Sequence, residues 1–380
     1  MKKIALITNF YIRNYGSVLQ SYALYQKLCN MGVDVSVVNY QDVPSRLMRL
    51  KVLFLLNYKC IFKIIHRFII RKKADKKYYF DICKRNESFS LFIKKYCNFT
   101  SLCSNVSQLQ EVVGSFNILM IGSDQLWAPS DVIRNYHTLV WAPKNIKKVS
   151  YATSFGVEVI PNFLHKKYCR FLQKMDVISV REISGRKILH EILKKNVPMV
   201  MDPTLLLEKE EWENILDERL VKEEYIFAFF LGTKKEHRDF VQAVGRKYGL
   251  KVVSILHVEE FQEIDKEYAD ITYNSATPAE FINLIKYASV VFTDSFHASI
   301  FSIINERKFY VFNRYDVQAK NSRNTRVDSL LDTLGLSNQK ILDLKNANIN
   351  LSSNIDYIAV KEKLELWRLK SNSYLKQILL

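Results

Sequence analysis

The chain has 380 residues, of which 48% are apolar and 25% charged, with only ten glycines and seven prolines. That length accommodates two domains with separate cores, and the composition excludes a disordered, loop-rich or repeat-built protein. The formal net charge of +17 suits acidic partners, but no recognition motif for nucleic acid accompanies it.

The apolar run that begins the chain breaks at Thr8-Asn9, too early for a signal peptide, so residues 3–8 read as a buried strand. A polar loop over 9–16 leads to a helix over 17–31, which Gly32 ends, and 33–40 alternates like a second strand. This opening belongs to an open, mostly parallel sheet. Between Arg46 and Cys97 fifteen Lys or Arg face three acids. Within that segment 52–70 is apolar yet interrupted by Lys59, Lys63, His66 and Arg67, too many charges for a membrane span. Ile61, Ile64, Ile65, Phe68 and Ile69 share one helical face, a pattern suited either to an anionic membrane surface or to core packing.

Further on, 87–96 reads as a helix, 117–122 as a buried strand ending in Ser123-Asp124-Gln125, and 148–154 as a strand closed by Phe155-Gly156. Residues 163–175 have helical spacing, 177–180 is strand-like, and 184–193 is helical. Asp202-Pro203 marks a boundary after the strand-like 197–201, because proline disfavours helix at the preceding residue. Strands at 225–231, 251–256, 289–292 and 309–312 then alternate with helices at 236–248, 278–287 and 328–334, and a long helix spans 355–379. The expected architecture is α/β, with two doubly wound domains facing a cleft. The N-terminal domain covers 1–201, the C-terminal domain 202–345, and the helix in 346–380 packs back on the first domain. Six cysteines without a C-x-x-C pair read as reduced thiols of a cytoplasmic protein.

Ligands of such sheets bind beyond the carboxyl ends of the strands, where Asn14, Asp124, Gly156, Arg181 and His297 all fall. His297 stands at a strand-to-helix junction, where unpaired backbone N–H groups attract anions and the imidazole adds a proton carrier. Arg181 suits bidentate recognition of carboxylate or phosphate, or else an ion pair with Glu182. Asp124 reads as a base or as a helix cap. Asn14 and Gly16 open the first helix without the glycine spacing of a Walker or dinucleotide loop. Arg314, Lys320, Arg323 and Arg326 form a basic series that is solvated, or folds over the His297 helix.

Six stretches in this order resemble the polysaccharide pyruvyl transferase family: Asn14-Tyr15-Gly16-Ser17-Val18-Leu19-Gln20, Gly122-Ser123-Asp124-Gln125-Leu126-Trp127, Tyr151-Ala152-Thr153-Ser154-Phe155-Gly156, Ser179-Val180-Arg181-Glu182, Asp202-Pro203-Thr204 and Thr293-Asp294-Ser295-Phe296-His297. The resemblance implies two Rossmann-like domains in a GT-B-like arrangement. It implies phosphoenolpyruvate as donor substrate, a glycan of a surface polysaccharide as acceptor, free or lipid-linked, and no cofactor or metal. It suggests that His297 and Arg181 are donor-site positions; for such a transfer His297 is the candidate general acid and Asp124 the candidate base. Arg181, Ser295, Lys320, Arg323 and Arg326 become donor contacts, and Asn14, Tyr15, Gly16, Gln125 and Trp127 acceptor contacts. Ala298, Ala128 and Ser295 stand where members of the family often carry glycine, asparagine and arginine. The resulting expectation is a cytoplasmic pyruvyl transferase, peripheral at the inner face of the plasma membrane. Its alternatives are a glycosyltransferase using a nucleotide sugar and a non-catalytic partner at the membrane surface.

Overall fold

The computed structural model describes residues 2–41, 76–257, 262–265, 267–315, 324–347 and 349–379. The amphipathic stretch expected at 52–70, and with it Lys320 and Arg323, lie outside them.

Four strands, β1 (Lys3–Ile7), β2 (Asp34–Val37), β3 (Ile118–Ile121) and β4 (Lys147–Ser150), form a parallel sheet in the order β2-β1-β3-β4. Isolated parallel bridges extend it on both sides, through Phe99 and Cys103 beside β2, and through Val177, Val180 and Met199 beyond β4. Six more strands, β5 (Tyr225–Phe229), β6 (Lys251–Ser254), β7 (Ile271–Thr272), β8 (Val290–Thr293), β9 (Phe309–Phe312) and β10 (Lys340–Ile341), form a second parallel sheet in the order β10-β9-β8-β5-β6-β7. In both sheets the chain reverses direction beside the first strand, between β1 and β3 and between β5 and β8. Those two crevices are where doubly wound sheets place ligands.

The strands are short and buried on both faces; β3 and β5 have no exposed residue. Such strands read as continuous apolar runs instead of alternating ones. Helix α1 (Tyr15–Asn30) is capped by Asn14, whose side chain accepts from Gly16 N, and Gly32 follows it at φ +76°, the left-handed conformation that glycine adopts without penalty.

Two helices tie the domains together. In α2 (Lys76–Tyr96) the fully buried Arg85 donates to the carbonyls of Leu256, His257 and Asn274. The long α3 (Tyr357–Leu379) follows the second sheet yet returns to the first. There Tyr374 donates to Ser150 O at 2.9 Å, Ser371 Oγ accepts from Met201 N at 3.0 Å, and Lys147 Nζ donates to Ile378 O at 2.8 Å. Lys2 Nζ reaches Leu379 O in the same last turn. These lysines meet carbonyls that a helix end leaves unpaired and that carry partial negative charge. Among the described residues no helix is long and apolar enough to cross a membrane.

Candidate active site

The two crevices meet at the first turns of α1 and of α4 (Phe296–Ile304). Ser295 caps α4, and His297 follows in its first turn. The imidazole lies directly on Gly16 of α1: a Cβ added to Gly16 would fall 2.0 Å from His297 Nδ1 and 2.5 Å from Cγ. Only a residue without a side chain lets the two helix starts approach this closely. His297 Nε2 stands 3.7 Å from Asp202 Oδ2, at ion-pair but not hydrogen-bond distance, and is buried without a hydrogen-bond partner among the described residues.

Asp202 follows the Met199 bridge at the edge of the first sheet. Its Oδ1 accepts from Thr204 N and Oγ1 at 3.0 and 2.7 Å, and its Oδ2 from Arg181 Nη1 at 2.6 Å. Arg181 also donates through Nη2 to Asp124 Oδ1 at 3.2 Å and through Nε to Glu182 Oε2 at 3.3 Å. Asp124 Oδ2 accepts from Ser17 Oγ at 2.8 Å. Asp124 adopts φ +72°, a left-handed conformation that costs a non-glycine residue about 1–2 kcal/mol and turns its carboxylate towards Arg181.

Burial alone would raise both aspartates, but their partners prevail. Arg181, His297, Arg326 and Ser17 hold Asp124 below its usual range, and His297, Arg181 and Thr204 hold Asp202 far below it. The Arg181 guanidinium, buried among three carboxylates, is pushed up. Beside α4 the ring of Phe296 lies between two cations, with Arg181 Cζ 4.9 Å and Arg326 Cζ 5.7 Å from its centre. The half-buried Arg326 has no hydrogen bond at its shielded Nε among the described residues; desolvation, and then Arg181 nearby, push it down to about 10. Arg314 donates to Asp294 O at 3.0 Å, and its Nε, without a hydrogen bond among the described residues, stands 3.6 Å from Asp294 Oδ1. Asp294 accepts from Leu231 N and Gly232 N, both at 2.7 Å, which fixes the β5–β8 crevice. A cleft lined by Phe296, Arg314, Asn324, Arg326 and Lys340 opens beside it.

The sequence model of the family described as Polysaccharide pyruvyl transferase matches residues 14–316. The chain belongs to that family. Among solved structures this pyruvyl transferase family member resembles a putative UDP-N-acetylglucosamine 2-epimerase from Listeria monocytogenes, 9% identical, over 96% of this chain and 94% of that one, with a TM-score of 0.50. It is also similar to the UDP-GlcNAc 2-epimerase of Methanocaldococcus jannaschii (10% identity, 96% and 99% covered, TM-score 0.48) and to E. coli ADP-heptose LPS heptosyltransferase II (10%, 98% and 100%, 0.42). Its two parallel-sheet domains form a GT-B-like fold. No curated protein matches the chain by sequence.

For a pyruvyl transferase family member, three residues sit differently from the sequence expectation. Tyr15 is buried between the domains, stacked on Phe281 at 4.5 Å with its hydroxyl donating to Ala276 O at 2.7 Å, so it faces no acceptor. Trp127 is fully buried and donates from Nε1 to His137 O at 3.1 Å. Ser295 is occupied as the α4 cap, its Oγ accepting from Ala298 N. Asn14 caps α1, Gly16 seats His297, and the half-buried Gln125 packs against Gly156. Arg181 and Asp124 reach the same cluster as His297, but each is engaged there, Arg181 by three carboxylates and Asp124 on both oxygens. Sequence reading left out Asp202 and Phe296 as functional groups. The signal for Asp202 is its carboxylate at a strand end, within the Asp202-Pro203-Thr204 stretch that marks both a boundary and the family resemblance. Among the described residues no cluster of three or more His, Cys, Asp or Glu is placed to hold a metal.

Proposed function

We propose that the protein transfers the pyruvyl group of phosphoenolpyruvate to a pair of hydroxyls on a glycan, forming a ketal and releasing phosphate. The observation that carries this reading is Arg326. It is a half-buried guanidinium whose Nε is fully shielded and without a hydrogen bond among the described residues, disfavoured as a cation by desolvation and by Arg181, and it lines the cleft beside α4. A cation held in such surroundings is poised for an anion. Arg181, satisfied by its carboxylates, organises the site, while Arg326, Arg314 and the α4 N-terminus take the donor's carboxylate and phosphate.

His297 protonates the methylene carbon of the donor, and the central carbon becomes cationic. One acceptor hydroxyl attacks that carbon and gives its proton to the now neutral imidazole. The C–O bond to phosphate breaks, the second hydroxyl closes the ketal, and its proton leaves with the phosphate. Asp124, held ionised below its usual range, is a weak proton acceptor. We therefore give it the task of fixing Arg181 and assign both proton transfers to His297, oriented by Asp202.

The test is thermal unfolding with added ligand, followed by transfer to glycan intermediates read by mass spectrometry. Phosphoenolpyruvate raises the Tm of the wild type, and Arg326→Gln abolishes most of that rise while leaving the ligand-free protein as stable or more so. A rise with nucleotide sugars and none with phosphoenolpyruvate would favour a glycosyltransferase instead.

A further inference from the structure

One strongly charged surface lies away from this cluster. It is built on helix α5 (His165–Leu172) and the turn before it. Phe163, Lys166, Arg170 and Lys174 follow one another at three- and four-residue spacing, so they form a single stripe. The opposite stripe, Tyr168, Phe171 and Leu172, is buried in the first domain's core. Val140 and Lys167 complete a groove along the exposed stripe, and no acidic residue lines it. Phe163 is 80% exposed, and Val159 and Val140 are 72% and 37% exposed.

A phenylalanine left almost fully in water beside an unopposed row of cations needs a partner that is both anionic and apolar. Nucleic acid would satisfy the cations but offers nothing to Val159 and Val140. A lipid interface satisfies both, with phosphates for the cations and acyl chains for the ring and the valines. The position also fits. Strand β4 ends at Ser150, the following loop passes Gln125 at Gly156, and Phe163 opens the descending helix, so the apolar end of the stripe lies on the rim where the strands end.

We propose that this face seats the protein on an anionic membrane surface, with Phe163 entering the interface and Lys166, Arg170 and Lys174 meeting lipid phosphates. The proposal stands independently of the transfer chemistry. Its test is sedimentation of the full chain with phosphatidylcholine vesicles, with and without phosphatidylglycerol. Binding to the anionic vesicles is expected. It should fall about a hundredfold when Lys166→Gln, Arg170→Gln and Lys174→Gln are combined, at roughly fivefold per cation. Phe163→Ala should weaken it further at constant charge. The triple Lys222→Gln, Arg246→Gln, Lys247→Gln, exposed on the second domain, removes the same charge and should change binding far less. Equal losses from the two triples overturn the proposal, as does absence of binding by the wild type. So does retention of vesicle binding by the Lys166→Gln, Arg170→Gln, Lys174→Gln variant when it has lost affinity for heparin, a polyanion without acyl chains.

Discussion

The contact between Gly16 and His297 gives a substitution of one methyl group a large expected effect. Alanine at position 16 would set a Cβ 2.0, 2.5 and 2.6 Å from three atoms of the imidazole, where ordinary contact begins near 3.4 Å. The ring must retreat by more than 1 Å or the two helix starts must separate. Overpacking of this kind costs about 1–3 kcal/mol, and the better helix propensity of alanine returns about 0.5–1 kcal/mol. The net loss, at most about 2.5 kcal/mol, leaves a chain of this size folded, with Tm lowered by no more than several degrees. Activity should suffer more, because displacement of a reacting group by about 1 Å costs on the order of a hundredfold in rate. The assay is phosphate release from phosphoenolpyruvate in the presence of acceptor, measured for Gly16→Ala, His297→Ala and the double variant. If Gly16 acts by seating the imidazole, Gly16→Ala should cost nothing further in activity once His297 is removed. Full activity in Gly16→Ala, or additive losses in the double variant, would refute the assignment.

Arg181→Met leaves Asp124, Glu182 and Asp202 without their shared cation; a loss of about 3–5 kcal/mol in denaturant unfolding is expected. Tyr15→Phe leaves Ala276 O without the hydroxyl that reaches it between the domains, lowering stability by about 1–3 kcal/mol while leaving donor affinity intact in calorimetry. Burial above all, with Lys234 and Arg238 adding to it, lowers His237 to about 4 from an ordinary value of 6.5. The unfolded chain therefore takes up a proton over that window that the folded one refuses, and stability falls as pH drops from 6.5 to 4. His237→Phe, which retains a ring 4.5 Å from Phe312, should remove on the order of 2 kcal/mol of that fall, read from unfolding midpoints against pH.

The alternation of strands and helices was legible because nearly every strand is buried on both faces and most helices have a polar start. Residues 309–312 were delimited as the structure has them. Two-residue strands such as Ile271–Thr272 and Lys340–Ile341 were not legible, since they owe their form to the neighbouring edge and not to a hydrophobic pattern. The helix at Val106–Val113 had its signal in Asn105, whose side chain accepts from Gln108 N, but it is short and was passed over. In the candidate site, the strand ends pointed to Asp124, Arg181 and His297, which the fold brings into one cluster. What one dimension could not show is how they share charge. Three carboxylates from three separate loops converge on one guanidinium, so the arginine that looked like a donor contact is already neutralised. Of the basic series whose spacing left open a solvated loop or a cover for the His297 helix, Arg314 and Arg326 lie among the described residues, and both are half-buried with a shielded Nε. Tyr15 and Trp127 were misplaced for a related reason, since aromatic residues beside a polar motif look alike whether they floor a pocket or fill a core.

The helix at Tyr357–Leu379 bears on how the protein is made. Lys2, just before β1, and Lys147 of β4 hold its last carbonyls, and Met201 at the border between the domains donates to its Ser371. Domains commonly mature in the order of their synthesis, but here the earlier one is finished by a later segment. Until that segment has emerged and docked, the first sheet lacks one of its covers, and both halves of the protein reach their final form together.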